Sequence, residues 1–414
     1  MQVNLGVSEM EKQPLHFALV LHMHQPRYNL NGPTYESEVA RDVFGQTLHP
    51  YTYPVEALKK DENARVTLNF TGSLIEQINE LASVGFDSRL NEIWDKYKET
   101  NALGRAEFTG CGYYHPIFPL IPEADQLKQI EEHLSLFEHT FGTRPEGFWL
   151  PELAFSPRVI PALVKNGIKW TIVDGPHIVN ANKNENLYQL LYKPHFAEYN
   201  GHRIIVIPRD RMISIAQQSG YNPIWMRHEI ERGIVPNNDG DFLLTVATDG
   251  ENGWFRHSGE NAGFWGWFFE PLLYLLKKDP DFQFIKLTTI SEYLVDHPPK
   301  DTVTVEDGSW NVPDTFDDGR FLKWTGGEER QRTWSRVLEA GRSIHEAEEK
   351  IAAARMDCTK EAKNALDQAW RWLLLAEASD DFWWGSKDWL DRSVVCSLKA
   401  REKINEAQRL CGIK

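Results

Sequence analysis

Cysteine is scarce in this chain of 414 residues: Cys111, Cys358, Cys396 and Cys411 form no CxxC pair and have no regular spacing. A zinc knuckle or a disulfide framework would show such a pattern, so we expect neither. Unpaired cysteines indicate a reducing, cytoplasmic location. The N-terminus lacks the basic and apolar regions of a secretion signal, and no apolar run reaches the roughly 18 residues of a membrane helix.

Basic residues are also few. Lys and Arg total 45 against 60 Asp and Glu, which gives a formal net charge of −15, and the acids are spread along the chain. Nucleic acids and anionic membranes attract basic surfaces, so neither is an expected partner. The 28 Gly and 22 Pro are too few for a collagen-like or disordered chain. We therefore expect a folded protein.

Aromatic residues, by contrast, are abundant, with 15 Trp, 13 Tyr and 21 Phe. Trp and Tyr have broad apolar faces and one polar edge, which suit the faces and hydroxyl rims of sugars as well as protein cores. Core packing explains most of these residues. Sugars are the ligand class that the remainder favours.

Short β-rich runs alternate with helical patterns from residue 15 to about residue 290. This alternation argues for a parallel sheet, and seven or eight such units argue for a closed or nearly closed barrel. The predicted strands are His16–Met23, Val66–Thr71, Ala106–Thr109, Gly147–Leu150, Lys169–Val173, Ile204–Ile207, Phe242–Thr248 and Phe284–Thr289. The predicted helices between them are Tyr51–Lys60, Leu74–Ala82, Leu90–Thr100, Glu123–Phe141, Pro157–Asn166 and Phe264–Lys278.

The composition changes at the turn cluster His297–Lys300. Three long helices are predicted beyond it, with an apolar stripe in the last formed by Leu390, Val394 and Leu398. These helices are Glu328–Arg355, Lys360–Ala376 and Lys387–Leu410. We predict a catalytic barrel over residues 1–300, and a linker and helical bundle that packs on the barrel over residues 301–414.

The first motif with chemical potential is LHMHQP, at the end of the first predicted strand. Its two histidines, His22 and His24, are two positions apart and face the same side of a strand, so they could hold a metal or hydrogen-bond a ligand together. One buried structural histidine with its partner in a polar loop is the alternative. A second motif, Arg105–Pro116, carries Glu107, two tyrosines and His115; a carboxylate in an aromatic loop suits hydroxyl recognition, although a solvated or capping acid is as common.

Two further strands each end in a carboxylate. Glu152 follows the apolar run Gly147–Leu150, and burial of such a charge costs several kcal/mol unless it is paired or protonated. Asp249 ends a near-continuous apolar run and precedes Gly250, although Asp before Gly is also a common turn former. Two barrel strands that each end in an acid suit glycoside cleavage, in which one carboxyl attacks the anomeric carbon and the other protonates the leaving oxygen.

Taken in order, these motifs resemble glycoside hydrolase family 57 through most of the chain. The five motifs that carry the resemblance are His22–Pro26, Glu107–Pro116, Trp149–Glu152, Asp249–Glu251 and Ala378–Gly385. Gly308–Trp310 and Trp324–Gly326 are also similar to the amylopullulanase and α-amylase branch. The sequence departs from this branch at Gly253, where a proline is usual, and in the Gly- and aromatic-rich segment Phe255–Gly266, which leaves the substrate open.

The resemblance implies a distorted (β/α)7 barrel with a C-terminal α-helical bundle, acting on α-glucans with retention of configuration. It implies that Glu152 is the nucleophile and Asp249 the general acid/base, without a metal or cofactor. We then expect their carboxyl groups to lie about 5 to 5.5 Å apart. The candidate substrate-binding residues are His22, His24, Glu107, His115, Trp149, Glu251, Trp254, Asp380, Trp383 and Trp384.

We also expect Asp380–Trp384 to fold back over the barrel mouth, since three exposed aromatic residues would otherwise favour aggregation. The alternative is that these rings only join the barrel and the bundle. The expected partner is an oligo- or polysaccharide.

Other functions stay open. The chemistry serves a 4-α-glucanotransferase or branching-type transglycosylase as well as a hydrolase, and another α-glycosidase specificity such as α-galactosidase fits too. A metal-dependent hydrolase would need zinc held by His22, His24 and Asp249 with His115 or His177. A non-catalytic carbohydrate-binding protein is the remaining alternative, and the two intact acids argue against it.

Overall fold

A computed structural model of the protein describes residues 12–251, 264–310, 320–353 and 358–412. Within these ranges the strands form one sheet in the order β6-β7-β5-β4-β3-β2-β1-β8, with β9 paired to β1. The strands are β1 Leu15–Met23, β2 Val66–Phe70, β3 Ala106–Gly110, β4 Gly147–Phe148, β5 Trp170–Asp174, β6 His195–Tyr199, β7 His202–Arg209, β8 Leu243–Asp249 and β9 Ile285–Leu287.

The sheet curls until its two ends meet. The neighbouring strands from β7 through β5, β4, β3, β2 and β1 to β8 all pair in parallel. At the seam, the Asp210 N–H donates to Thr245 O at 2.9 Å, and Arg209 Nε donates to Ala247 O at 2.8 Å. Seven parallel strands in a nearly closed ring confirm the distorted (β/α)7 barrel.

Helices cover the outside of the barrel. The β6–β7 hairpin is antiparallel and is not predicted by the sequence pattern, because β6 is a short edge strand of five residues, HFAEY, without a regular alternation of apolar and polar residues. The helices are α1 Glu38–Thr47, α2 His49–Lys59, α3 Gly72–Ser83, α4 Ile93–Ala102, α5 Glu123–Phe141, α6 Ile160–Lys165, α7 Gly175–Ala181, α8 Leu187–Tyr192, α9 Arg211–Gln218, α10 Pro223–Gly233, α11 Glu270–Lys278 and α12 Ile290–Asp296, and a π-helical turn Trp265–Phe269 precedes α11.

Local sequence explains several of these boundaries. Thr71 caps α3 by accepting a hydrogen bond from the Leu74 N–H, and Thr289 caps α12 in a capping box with Glu292. Strand β4 is shorter than predicted, because the chain leaves the sheet after Phe148 and turns through the short 3₁₀ helix Pro151–Leu153. This turn carries Glu152 away from the strand and over the barrel end.

The barrel interior is closely packed. Fully buried side chains such as Val20 and Ile172 fill it from facing strands, and each contributes roughly 1.5–3 kcal/mol through burial. A Cβ at Gly147 would lie 2.1 Å from the Trp170 ring, so β4 and β5 approach closely only with glycine at this position. Among the described residues, the interior is therefore a packed core and not an open channel.

The C-terminal part is helical and shares its core with the barrel loops. Tyr114, Ile117 and Ala154, from loops beyond β3 and β4, are buried in one cluster with residues of the bundle. The helices are α13 Leu322–Thr325, α14 Glu328–Ala353, α15 Lys360–Ala376, α16 Ser379–Trp384 and α17 Lys387–Leu410. The division at residue 300 stays a prediction.

Helix α17 differs from its predicted stripe. Leu390 is buried, but Leu398 is 57% exposed, so the prediction is wrong for that residue. The buried face continues instead through small side chains, Ser393, Cys396 and Ala400. Small residues let α17 lie close to α15, which a search for large apolar residues does not detect.

Cys358 and Cys411 form a disulfide with their Cα atoms 5.2 Å apart. The expectation of unpaired cysteines is therefore wrong for this pair. The two residues are 53 positions apart, before α15 and after α17, and meet because these helices pack side by side. Cys111 and Cys396 are free and buried. Among the described residues, no helix is both long and apolar enough to cross a membrane.

Candidate active site

The carboxyl ends of the parallel strands bring the predicted motifs to one end of the barrel, which we call the mouth. His22 on β1 is the register partner of Asn69 on β2 and of Asp249 on β8. Register partners in a sheet lie about 4.8 Å apart. Motifs more than 200 positions apart in sequence are thus neighbours here.

Glu152 lies on a backbone turn that most residues avoid. Its φ of 60° and ψ of 16° are left-handed, and Leu153 follows with a φ of 47°. Such a conformation costs about 1–3 kcal/mol for a non-glycine residue and persists only where the surroundings impose it. The Trp310 N–H supplies one constraint by donating to Glu152 O at 3.1 Å. The side chain of Glu152 is half-buried.

Trp310 also contacts the carboxylate. Its indole Nε1 donates to Glu152 Oε2 at 3.1 Å. The guanidinium of Arg209 lies 5.2 Å from the centroid of the Trp310 ring, and Trp149 meets this ring edge-on. Trp310 is therefore held on two sides where it reaches Glu152.

Arg209 and Asp174 are mouth residues that the sequence analysis misses. Asp174 ends β5 and is fully buried; its Oδ1 accepts from Arg209 Nη1 at 2.9 Å, and its Oδ2 accepts from Arg211 Nε at 2.6 Å. The pattern that identified Glu152 and Asp249, an apolar strand ending in a carboxylate, also fits Asp174 at the end of β5, whereas Arg209 at the end of β7 is basic and does not fit it. Two guanidiniums around one carboxylate leave a net positive charge in this part of the mouth.

Asp249 is the last residue of β8 and is half-buried. The following Gly250 donates its N–H to His22 O at 2.7 Å, and a Cβ there would lie 2.3 Å from Met23 Sδ. Only glycine lets the chain turn this close to β1 after Asp249. The separation of the Glu152 and Asp249 carboxyl groups stays a prediction.

Glu251 is 8% exposed and lies beside the histidine motif. Its Oε1 accepts from the His24 N–H at 2.8 Å and from the Tyr51 hydroxyl at 2.9 Å. Burial raises the pKa of this carboxyl to about 7, although both hydrogen bonds oppose the shift. Near neutral pH Glu251 therefore changes between its acid and its anion.

The protonation of His22 follows from Asn69. The Asn69 amide nitrogen donates to Thr109 and Gly110, so its oxygen faces His22 Nδ1, 2.7 Å away. Burial, reinforced by nearby His24, lowers the pKa of His22 to about 3, so the ring is neutral. His22 then carries its proton on Nδ1, and its Nε2 can only accept.

The proton position on His115 follows in turn. His115 Nε2 lies 3.0 Å from His22 Nε2, so His115 is the donor between them. Burial lowers its pKa well below the usual range, and its neutral ring accepts at Nδ1 from the Ser379 hydroxyl at 2.7 Å. All four ring nitrogens of His22 and His115 thus have protein partners. The fully buried Trp149 stacks on His22, with the two ring centroids 4.9 Å apart.

His24 joins the barrel to the bundle. Its Nε2 donates to both oxygens of Asp380, at 3.1 and 3.0 Å, and its Nδ1 lies 3.0 Å from Thr71 Oγ1. Asp380, at the start of α16, therefore reaches the mouth. The place of the two tryptophans beside the mouth stays a prediction: the Trp383 ring centroid lies 5.8 Å from that of Trp324, and Trp384 is 61% exposed and stacks on Trp389.

Among the described residues, His24, His115 and Asp380 could offer a metal ion one ligand atom each, all within 4.8 Å of one another. The two rings stack almost in parallel, with centroids 3.9 Å apart and an angle of 13° between the planes. In-plane lone pairs of parallel rings do not converge on one point, and both His115 nitrogens already have partners. The geometry fits a hydrogen-bond network better than it fits an ion.

The other predicted residues lie apart. Glu107 is two residues below the mouth on β3, where its carboxylate accepts from the backbone N–H groups of Ile290 and Ser291 and from Thr67. It caps α12, which is the alternative role considered above, and the structure does not bring it to the mouth. His177 contacts Ser309 O at 3.2 Å, away from the other histidines. Trp254 lies outside the described residues.

Known proteins resemble this chain in sequence and fold. The model of glycosyl hydrolase family 57 matches residues 18–306. A 4-alpha-glucanotransferase of Thermococcus litoralis is 23% identical over 90% of this chain and 54% of its own length. An alpha-amylase of Pyrococcus horikoshii is 24% identical over 72% of this chain and 44% of its own.

A solved branching enzyme of Thermococcus kodakaraensis has a TM-score of 0.69 at 18% identity, covering 95% of this chain and 90% of that chain. At this identity the match establishes the fold alone. The chain spans about half the length of the curated relatives that it matches.

Proposed function

Since this chain belongs to glycosyl hydrolase family 57, we propose that it cleaves α-linked glucans by double displacement, with retention of configuration. The resemblance found in the five motifs is thereby confirmed. The observation that carries the proposal is Glu152, a carboxylate imposed on a left-handed turn at the same mouth where β8 ends in Asp249. Strained backbone under a carboxylate is a feature of functional sites.

Glu152 and Asp249 would have different roles in this reaction. Glu152 attacks the anomeric carbon and forms a covalent glycosyl-enzyme, while Asp249 protonates the departing oxygen. Asp249 then removes a proton from the water or sugar hydroxyl that resolves the intermediate. Asp380 and Glu251, which flank His24, are proposed to accept hydrogen bonds from sugar hydroxyls. The partner is an oligo- or polysaccharide.

Glycosyl transfer to a sugar acceptor is the second candidate function. The relative that matches 90% of this chain is named a 4-alpha-glucanotransferase, whereas others are named alpha-amylases. Both outcomes use the same covalent intermediate and differ only in what resolves it. The cytoplasmic location also remains a proposal, and the disulfide Cys358–Cys411 removes one of its arguments.

Product analysis tests the proposal. Maltoheptaose, amylose, pullulan and an α-galactoside are incubated with the protein, and products are separated by thin-layer chromatography. Shorter sugars alone indicate hydrolysis, whereas both longer and shorter oligosaccharides indicate transfer. Proton NMR at early times should show the α-anomer. A β-anomer as first product would exclude retention.

Glu152→Gln should lower turnover by several orders of magnitude while the protein still binds maltooligosaccharide. The matched control is Glu146→Gln, an exposed acid near β4 that forms an ion pair with Lys169. Equal activity of the two variants would remove Glu152 from the proposed mechanism.

A further inference from the structure

Trp310 belongs to a short segment, Gly308–Trp310, that crosses the chain around Glu152. Phe155 and Gly308 exchange two backbone hydrogen bonds, of 2.8 and 3.0 Å, and the Trp310 N–H donates to Glu152 O. A Cβ at Gly308 would lie 1.7 Å from the His177 ring, so glycine is required for this approach. The segment is therefore fixed in register against residues 152–155.

We propose that Trp310 is a positioning residue that aims the Glu152 carboxylate and stabilises its negative charge. This inference rests on the proposed function, in which Glu152 is the nucleophile. The backbone N–H of Trp310 fixes the turn, and its indole N–H fixes the carboxylate. One residue thus controls both the position of the Glu152 Cα atom and the direction of its side chain.

The indole N–H is suited to this task. A hydrogen bond to an ionised carboxylate is stronger than one between neutral groups, and it favours the charged form. An indole N–H cannot be deprotonated in the working pH range and cannot accept a hydrogen bond. It therefore stabilises the carboxylate without competing for the proton that Asp249 must move.

Arg209 supports the ring from behind. Its guanidinium, 5.2 Å from the ring centroid, is held by Asp174 and by Ala247 O. A cation over an indole face is attracted to the ring. Because Ala247 is two residues before Asp249, this contact also ties the position of Trp310 to the strand that carries the second acid.

The test removes the indole N–H of Trp310 that donates to Glu152. Trp310→Phe removes the N–H, and β-(3-benzothienyl)alanine at position 310 keeps the bicyclic shape and removes the same N–H. We expect kcat to fall about 10- to 100-fold with KM within a few fold, since a misaimed nucleophile reacts slowly. The acid limb of the pH profile of kcat/KM should move up by about one pH unit, as a lost charge-assisted hydrogen bond requires.

Trp370→Phe is the matched control, because the Trp370 indole donates to Glu348 Oε1 at 2.8 Å in the bundle. Its pH profile should equal that of the unchanged protein. Thermal unfolding checks that each variant folds, and the benzothienyl variant serves if Phe at position 310 does not fold.

A fluorinated glucosyl fluoride that traps the glycosyl-enzyme separates this inference from the proposed function. Mass spectrometry of the trapped protein should place the label on Glu152. A label on another residue would overturn the proposed nucleophile. A label on Glu152 with an unmoved acid limb in both position-310 variants would overturn the role of Trp310 alone.

Discussion

Replacing Glu251 with Gln should change how the stability of the protein depends on pH. Glu251 is buried, and burial raises its pKa from 4.5 to about 7. Because the folded pKa exceeds the unfolded one, the folded state holds the proton more tightly. The stability contributed by the protonated form is full below about pH 4.5 and is lost as the pH rises through 7.

The magnitude follows from the size of the shift. A change from 4.5 to about 7 corresponds to about 3.5 kcal/mol, at about 1.4 kcal/mol per pKa unit. An unfolding entropy of about 2.1 cal/mol/K per residue gives about 0.9 kcal/mol/K for 414 residues. Roughly a quarter of this contribution is already lost at pH 5, so about 2.5 kcal/mol is lost between pH 5 and pH 8. The melting temperature should thus fall by about 3 °C from this group alone over that range.

Calorimetry at several pH values on the unchanged protein and on Glu251→Gln measures this difference. Gln resembles the protonated acid in shape and charge, so the variant should lose this part of the decline. Asp381, whose pKa burial also raises to about 7, titrates equally in both proteins and cancels. Glu328→Gln, with an exposed side chain, is the control. If the melting temperatures of the unchanged protein and of Glu251→Gln fell by the same amount from pH 5 to pH 8, the reasoning would be refuted.

Three further predictions concern the mouth and the bundle. Asp249→Ala should lower turnover most for substrates with poor leaving groups. Added azide should restore turnover by attacking the glycosyl-enzyme, which gives a glycosyl azide of retained configuration. A glycosyl azide of inverted configuration would mean that the roles of Glu152 and Asp249 are exchanged. Dialysis against a chelator should leave turnover unchanged, because carboxylates supply nucleophile and acid, and activity restored only by zinc would instead favour the metal-dependent alternative. Trp384→Ala should weaken binding of long glucans with little effect on melting temperature, since its ring is 61% exposed; lower thermal stability with unchanged binding and turnover would leave only the packing role.

The sequence predicts best where one physical cause dominates. Strands β1 and β8 are central and buried, so they are continuous apolar runs, and α5, α15 and α17 are long enough for their periodicity to define both ends. The edge strand β6 carries no comparable signal. Nor does the disulfide Cys358–Cys411, since its spacing depends on how two helices pack.

The site residues likewise include some that a local sequence pattern identifies and others that it does not. Glu152 and Asp249 are visible because an acid after an apolar strand is unusual. Glu107 lies near the start of β3 and caps a helix 183 positions away, a contact that no local pattern encodes. Trp310 is similarly hidden, because its part in the site depends on the register of Gly308 against Phe155.

The contacts of α16 with the mouth set an order of events during synthesis. His24 and His115 are made early, but their partners Asp380 and Ser379 follow 356 and 264 positions later. Until α16 has been synthesised, the side chains of His24 and His115 lack these two partners. The mouth therefore becomes complete only after residues 379 and 380 have been made, and a chain that stops before α16 lacks these contacts.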